Sequence, residues 1–132
     1  FGHHPTAIAA TIKELKQRYP NSKIWAIFEP RSNTSRRNML QSELQDSLSI
    51  ADGVFISEVP NPEKVPDGEL LDVESVVENL VSRGLQGFVG SSSDDIVNRL
   101  IPLTSSGDTI VVLSNGGFGG IHDKLLKALK EK

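Results

Sequence analysis

Ten consecutive residues, Glu29-Pro30-Arg31-Ser32-Asn33-Thr34-Ser35-Arg36-Arg37-Asn38, set three arginines among hydroxyl and amide side chains. A guanidinium presents several N–H donors in one plane and matches carboxylates and phosphates. The segment follows an apolar run and precedes a helical pattern, and helix N-termini favour the same anions. Arg31, Asn33, Arg36 and Arg37 are therefore candidate anion ligands. The competing reading is a solvated basic turn whose arginines are neutralised by Glu29 and Glu43.

Two further segments could carry chemistry. In Leu113-Ser114-Asn115-Gly116-Gly117-Phe118-Gly119-Gly120, four glycines allow a tight turn and a close backbone approach to a ligand. No glycine stands three residues after Gly119 and no Gly-Lys-Ser/Thr occurs, so this is neither the dinucleotide fingerprint nor a P-loop. Phe118 is either a cap on the sheet edge or an exposed contact. Phe1-Gly2-His3-His4-Pro5-Thr6 places adjacent histidines before a helix, where they can hold an anion or transfer protons near neutral pH. A tag remnant or a polar helix entry would look the same. No spacing supports a metal site. Asp94-Asp95 reads as first-turn helix charge, His122 as a surface residue, and Asp52, Glu58 and Asp67 lack partners at a recognisable spacing.

These segments need a scaffold, and the chain is long enough for one domain, 1–132. Of its 132 residues 37% are apolar and 23% charged, an ordinary balance for a globular fold. The formal net charge of -3 lacks the basic excess of a nucleic-acid surface. Cysteine is absent, which excludes disulfides, thiolate metal sites and cysteine nucleophiles and fits a cytoplasmic location. No apolar run reaches membrane-spanning length and no signal peptide is visible. The opening residues read as a start inside a domain.

Hydrophobic periodicity predicts alternating elements. Ile8, Ile12, Leu15 and Tyr19 mark a first helix, and Ile24–Phe28 a strand. Thr34 or Ser35 could cap a second helix with Met39, Leu40, Leu44 and Leu48 turned inward. Val54–Ser57 reads as a strand, and 58–71, with three prolines, as a long loop. Asp72 can cap a helix carrying Val73, Val76, Val77, Leu80 and Val81, which Gly84 ends. Gln86–Val89 is a strand. Ser93 starts a helix with Ile96, Val97, Leu100 and Ile101, closed by Pro102. Thr109–Leu113 is a strand, and Ile121, Leu125 and Leu129 mark a last helix. Apolar strands alternating with helices imply an α/β fold: an open, Rossmann-like, mostly parallel sheet of at least four strands with helices on both faces. Ligands of such sheets sit at the carboxyl ends of the strands. That selects loops 29–37, 58–71 and 114–120.

Taken together, the segments resemble the Mur ligase family. Phe1-Gly2-His3-His4-Pro5-Thr6-Ala7-Ile8 is similar to the motif that opens the family's third, C-terminal domain. Phe28 to Asn38 and Ser114 to His122 are similar to its murein peptide ligase branch. The resemblance covers the whole chain. It implies the donor-binding domain of a ligase that joins L-alanyl-γ-D-glutamyl-meso-diaminopimelate to UDP-N-acetylmuramate through an acyl phosphate. The L-alanine-adding branch is the alternative within the family, and a non-catalytic α/β module binding an acidic small molecule is the alternative outside it. The resemblance also implies that ATP and Mg2+ are bound mainly by an upstream central domain, and that a strand and an aspartate precede Phe1. The chain alone is expected to be inactive, and to work with its own upstream domains, without nucleic acid or membrane partners. By resemblance His3 lies near the reacting groups with His4 beside it. Arg31, Asn33, Arg36 and Arg37 recognise the donor, and Ser114, Asn115, Gly116, Gly117 and Phe118 form the facing wall.

Overall fold

The computed structural model describes residues 4–31, 36–114 and 116–131. Four parallel strands, β1 (Ile24–Phe28), β2 (Gly53–Ser57), β3 (Gln86–Gly90) and β4 (Thr109–Leu113), form one sheet in the order β3-β2-β1-β4. Successive side chains of a strand point to opposite faces. In β1 all five residues are fully buried, so both faces must be covered. Ile24, Ala26 and Phe28 pack under α1 (Pro5–Arg18), α2 (Gln41–Leu48) and α3 (Val73–Ser82). Trp25 and Ile27 pack under α4 (Ser93–Leu100) and α5 (Ile121–Glu131). The result is the three-layer α/β architecture that uniformly apolar strands require.

The topology follows from the crossovers. The connections from β1 to β2 and from β2 to β3 run across one face, and the return from β3 to β4 runs back across the other through α4. Reversing direction and face together keeps the hand of the crossover the same. The strand order therefore reverses between β1 and β4, and their loops part at that switch point. Asp52, which lacked a partner at a recognisable spacing, closes the opposite edge: its carboxylate accepts the Ile24 N–H at 2.8 Å and meets Lys16 at 3.4 Å.

Local rules account for most helix ends. Asp72 accepts the Ser75 N–H at 3.0 Å, and Ser92, one residue before α4, accepts the Asp95 N–H at 3.1 Å. The second helix departs from expectation. Thr34 and Ser35 lie outside the described residues; a 3-10 turn over Asn38–Leu40, with no side-chain cap, leads into α2. Met39 is consequently exposed, while Leu44 and Leu48 are buried as their spacing implies. Tyr19, Val81 and Leu129, each at the margin of its helical stripe, are also exposed.

Candidate functional site

Glu29 and Ser114 each stand one residue past a strand end. The register pairs Phe28 with Leu113, and the Glu29 N–H extends that ladder to the Leu113 carbonyl at 3.1 Å. The next residue on each strand is thus Glu29 beside Ser114, both turned to the face covered by α4 and α5 by strand alternation. Ser114 Oγ donates to Glu29 Oε1 at 2.5 Å, and the Gly116 N–H donates to Ser114 Oγ at 3.2 Å. Glu29 is 7% exposed. None of the ion pairs among the described residues involves it.

Arg31 crosses to the same glycine loop. A Cβ on Gly116 would lie 2.8 Å from Arg31 Nε, 2.9 Å from Cδ and 3.0 Å from Cζ. Glycine at 116 is what lets this side chain lie against the loop backbone. Arg31 is exposed, and none of the ion pairs among the described residues includes it. The switch point therefore holds a buried carboxylate, a hydroxyl bonded to a loop N–H, and an exposed guanidinium. That set can bind a ligand carrying both charges.

Arg36 and Arg37 are placed differently. Arg36 is 8% exposed, its guanidinium reaches the Pro60 carbonyl at 3.4 Å, and its own carbonyl accepts the Leu71 N–H at 2.8 Å. Arg37 forms an antiparallel bridge with Leu70 and pairs with Glu69 at 3.3 Å. Asn38 adds bonds from its N–H to the Glu69 carbonyl and from its side chain to the Gly68 carbonyl. Together they pin the arginine loop to loop 58–71. A buried Arg36 is part of the packing, unlike the arginine of a solvated basic turn. The alternative in which Glu29 and Glu43 neutralise the arginines also fails here: Arg37 uses Glu69, and Glu29 uses Ser114.

Of the remaining candidates, His4 is an exposed helix entry whose Nδ1 accepts the Thr6 N–H at 3.2 Å. Phe118 is 4% exposed and packs with Trp25, Ile96, Ile121 and Leu125. This corrects its place in a ligand-facing wall: its backbone turns at a φ of 47° and sends the ring into the core. Gly117 faces open space. His3, Asn33 and Asn115 lie outside the described residues. Glu29 is the residue that sequence reasoning missed as a site group.

Beyond the switch point, polar groups serve the scaffold. Gly119 has a φ of +60°, and a Cβ there would lie 2.5 Å from Ser93 Oγ. Lys124 donates to Ser93 Oγ and pairs with Asp94, both at 2.9 Å. The Ser91 N–H, followed by Arg99, holds the Asp95 carboxyl below the usual range. The pair Asp94-Asp95 is thus first-turn helix charge, as its position implies. Arg99 also lies over Phe55 and Phe88 and donates to the Val89 carbonyl at 2.7 Å. His122 is exposed.

Among the described residues no group of three or more His, Asp or Glu side chains could hold a metal ion. With no P-loop lysine in the glycine loop, these residues do not fit an ATP–magnesium site. No helix among them is long and apolar enough to cross a membrane.

A parallel α/β sheet with its polar groups gathered at the switch point defines a ligand-binding domain of the doubly wound class. The family profile described as "Mur ligase, glutamate ligase domain" matches residues 1–116, and the chain belongs to the Mur ligase family. It is 40% identical over 134 residues to the UDP-N-acetylmuramate–L-alanyl-γ-D-glutamyl-meso-2,6-diaminoheptandioate ligase of Escherichia coli K12, covering 100% of this chain and 27% of that protein. It is 37% identical over 83 residues to the UDP-N-acetylmuramate–L-alanine ligase of Streptococcus gordonii, covering 63% of this chain and 18% of that protein. The crystal structure of a murein peptide ligase from Psychrobacter arcticus superposes with a TM-score of 0.77 at 37% identity, covering 98% of this chain and 26% of that one. The chain spans about a quarter of the length of the curated relatives it matches over its full extent.

Proposed function

We propose that this chain is the donor-binding domain of an ATP-dependent ligase that joins L-alanyl-γ-D-glutamyl-meso-diaminopimelate to UDP-N-acetylmuramate, working in the cytoplasm. Its place is in peptidoglycan recycling. Nucleotide and magnesium are held by other domains of the same protein, where the sugar carboxylate becomes an acyl phosphate. This domain presents the peptide amine and, by closing, keeps water from the acyl phosphate. The observation that carries the reading is the meeting of Arg31 with the glycine loop at the switch point, beside Glu29 and Ser114. The exposed Arg31 guanidinium suits a donor carboxylate. Arg36 and Arg37 hold the shape of the loop that carries Arg31, with Asn33 and Asn115 as further donor contacts. His3 and His4 stand near the reacting groups. Identity of 40% over the whole chain to a tripeptide-adding enzyme, against 29% over the whole chain to an L-alanine-adding ligase of Sulfurihydrogenibium, supports this donor over free L-alanine.

The test follows amide formation by the complete protein and by the isolated chain, with UDP-N-acetylmuramate, tripeptide, magnesium and ATP. ADP release with the UDP-linked peptide product is expected from the complete protein and not from the chain alone. Turnover by the isolated chain, or no tripeptide product from the complete protein, would contradict the reading.

A further inference from the structure

The glycine loop enters α5 through a left-handed turn. Phe118, Gly119 and Gly120 follow one another at φ values of 47°, 60° and 73°. Glycine adopts that region freely, but a phenylalanine there is disfavoured because its Cβ crowds the following carbonyl oxygen. Burial of the Phe118 ring among Trp25, Ile96, Ile121 and Leu125 offsets that cost and fixes one side of the turn. Polar contacts outside the switch point hold the other side. Ser93, in the first turn of α4 and 8% exposed, stands so close to Gly119 that a Cβ there would meet its Oγ at 2.5 Å. Its hydroxyl donates to the Gly119 carbonyl across 3.4 Å, a long bond that depends on how the hydroxyl is aimed. Lys124, in the first turn of α5, aims it. The lysine ammonium donates to Ser93 Oγ at 2.9 Å, which leaves the single Ser93 proton for the carbonyl. The ion pair of Lys124 with Asp94 has a 73% exposed carboxylate and contributes little by itself.

We propose that Lys124, acting through Ser93, is a positioning residue for the donor site: it fixes the turn 118–120 and, through that turn, the glycine loop. The Gly120 N–H closes back on the Gly117 carbonyl at 3.0 Å, so turn and loop move as one piece. At the other end of the loop the Gly116 N–H donates to Ser114 Oγ, and Arg31 lies against Gly116. A displaced turn therefore displaces the surface on which the Arg31 guanidinium rests. The coupling runs from the first turns of α4 and α5 to the junction of β1 and β4. Neither Lys124 nor Ser93 touches the donor in this arrangement. The inference rests on the proposed donor site. Its effect falls on donor binding and spares the nucleotide and the UDP-sugar, which other domains hold.

The experiment measures the three substrate KM values and amide hydrogen exchange in the complete ligase. Lys124→Met keeps an apolar stem and removes the ammonium, whereas Lys124→Arg keeps a cation. In Lys124→Met the donor KM should rise roughly 2- to 10-fold, the range of one ordinary hydrogen bond, while the KM values for ATP and UDP-N-acetylmuramate hold. Exchange should quicken at the Gly116 and Gly120 amides and stay unchanged across β1 and β2. Ser93→Ala should reproduce both effects, Lys124→Arg should restore the unaltered behaviour, and Asp94→Asn should change neither readout. An unmoved donor KM in Lys124→Met would overturn the proposal. So would a rise in all three KM values with faster exchange throughout the sheet, the mark of a residue that only stabilises the fold. An Asp94→Asn effect equal to that of Lys124→Met would overturn the route through Ser93. An enzyme that uses L-alanine and not the tripeptide would reject the proposed function instead, and the exchange pattern, which needs no donor, would still decide the positioning role.

Discussion

Ser114 and Glu29, 85 residues apart in sequence, share a 2.5 Å hydrogen bond one step beyond the paired ends of β4 and β1. That bond ties together the two loops flanking the switch point. The placement of Arg31 depends on the same junction, because Gly116 both donates to Ser114 and leaves room for the arginine side chain.

Gly116→Ala tests that dependence. The added methyl would come within 3.0 Å of Arg31 Nε, Cδ and Cζ. The far end of an exposed arginine can swing away, so the fold should lose little. The guanidinium would be displaced from its place beside the loop. The donor KM of the complete enzyme should rise roughly 10-fold, the lower range of a lost charge-assisted bond, with Tm nearly unchanged. An unchanged KM would show that the contact between Arg31 and Gly116 has no part in donor binding.

Arg36 and Arg37 should separate in a urea denaturation series. Arg36 is buried and bonded to the Pro60 carbonyl, so Arg36→Ala should cost about 1.5–3 kcal/mol, as for hydrogen bonds of charged groups. Arg37 pairs with Glu69 on a half-exposed surface, and Arg37→Ala should cost about 0.2–1 kcal/mol through that pair. Equal losses would refute the distinction between a packed and a solvated arginine.

Much of this division was legible in the sequence. The strands Ile24–Phe28 and Thr109–Leu113 were marked by apolar runs, and Asp72 by its place before a helical stripe. The parallel three-layer class followed from strands apolar on both faces. The switch-point pair was not legible in the same way. Glu29 meets Ser114 only because β4 returns to lie beside β1, a consequence of topology that no local spacing records. With its three-dimensional neighbours unknown, Glu29 reads as a counter-charge for the adjacent arginines. The burial of Arg36 was illegible for a related reason: loop 58–71 folds back onto it, and its bonds run to Pro60 and Leu71, more than 20 residues away. Phe118 left a choice open, and the positive φ that turns it inward is invisible in sequence.

Asp72 carries a pH prediction. The Ser75 N–H, then the Ser75 hydroxyl, hold its carboxyl below the ordinary value of 3.8 in the folded chain. A carboxyl depressed by folding stabilises the fold above its unfolded pKa, and that contribution is lost as pH falls through the folded value. Asp72→Asn should therefore lower stability at pH 7 and converge with the unaltered chain as pH drops below 3.8. The measurement is Tm against pH for both proteins. A gap that stays constant into strong acid would mean that the charged cap contributes nothing.

Donor choice by the complete enzyme decides between the tripeptide and L-alanine. If the loop carrying Arg31 reads distal carboxylates, free L-alanine leaves that guanidinium hydrated and gains nothing from it in the transition state. The tripeptide replaces that water with charge-assisted bonds, and its remote binding energy helps fix the attacking amine. Two such contacts, if additive, predict a kcat/KM for the diaminopimelate tripeptide roughly 100- to 10,000-fold above that for L-alanine on one preparation. Equal or better use of free L-alanine would contradict the account and place this domain with the L-alanine-adding ligases.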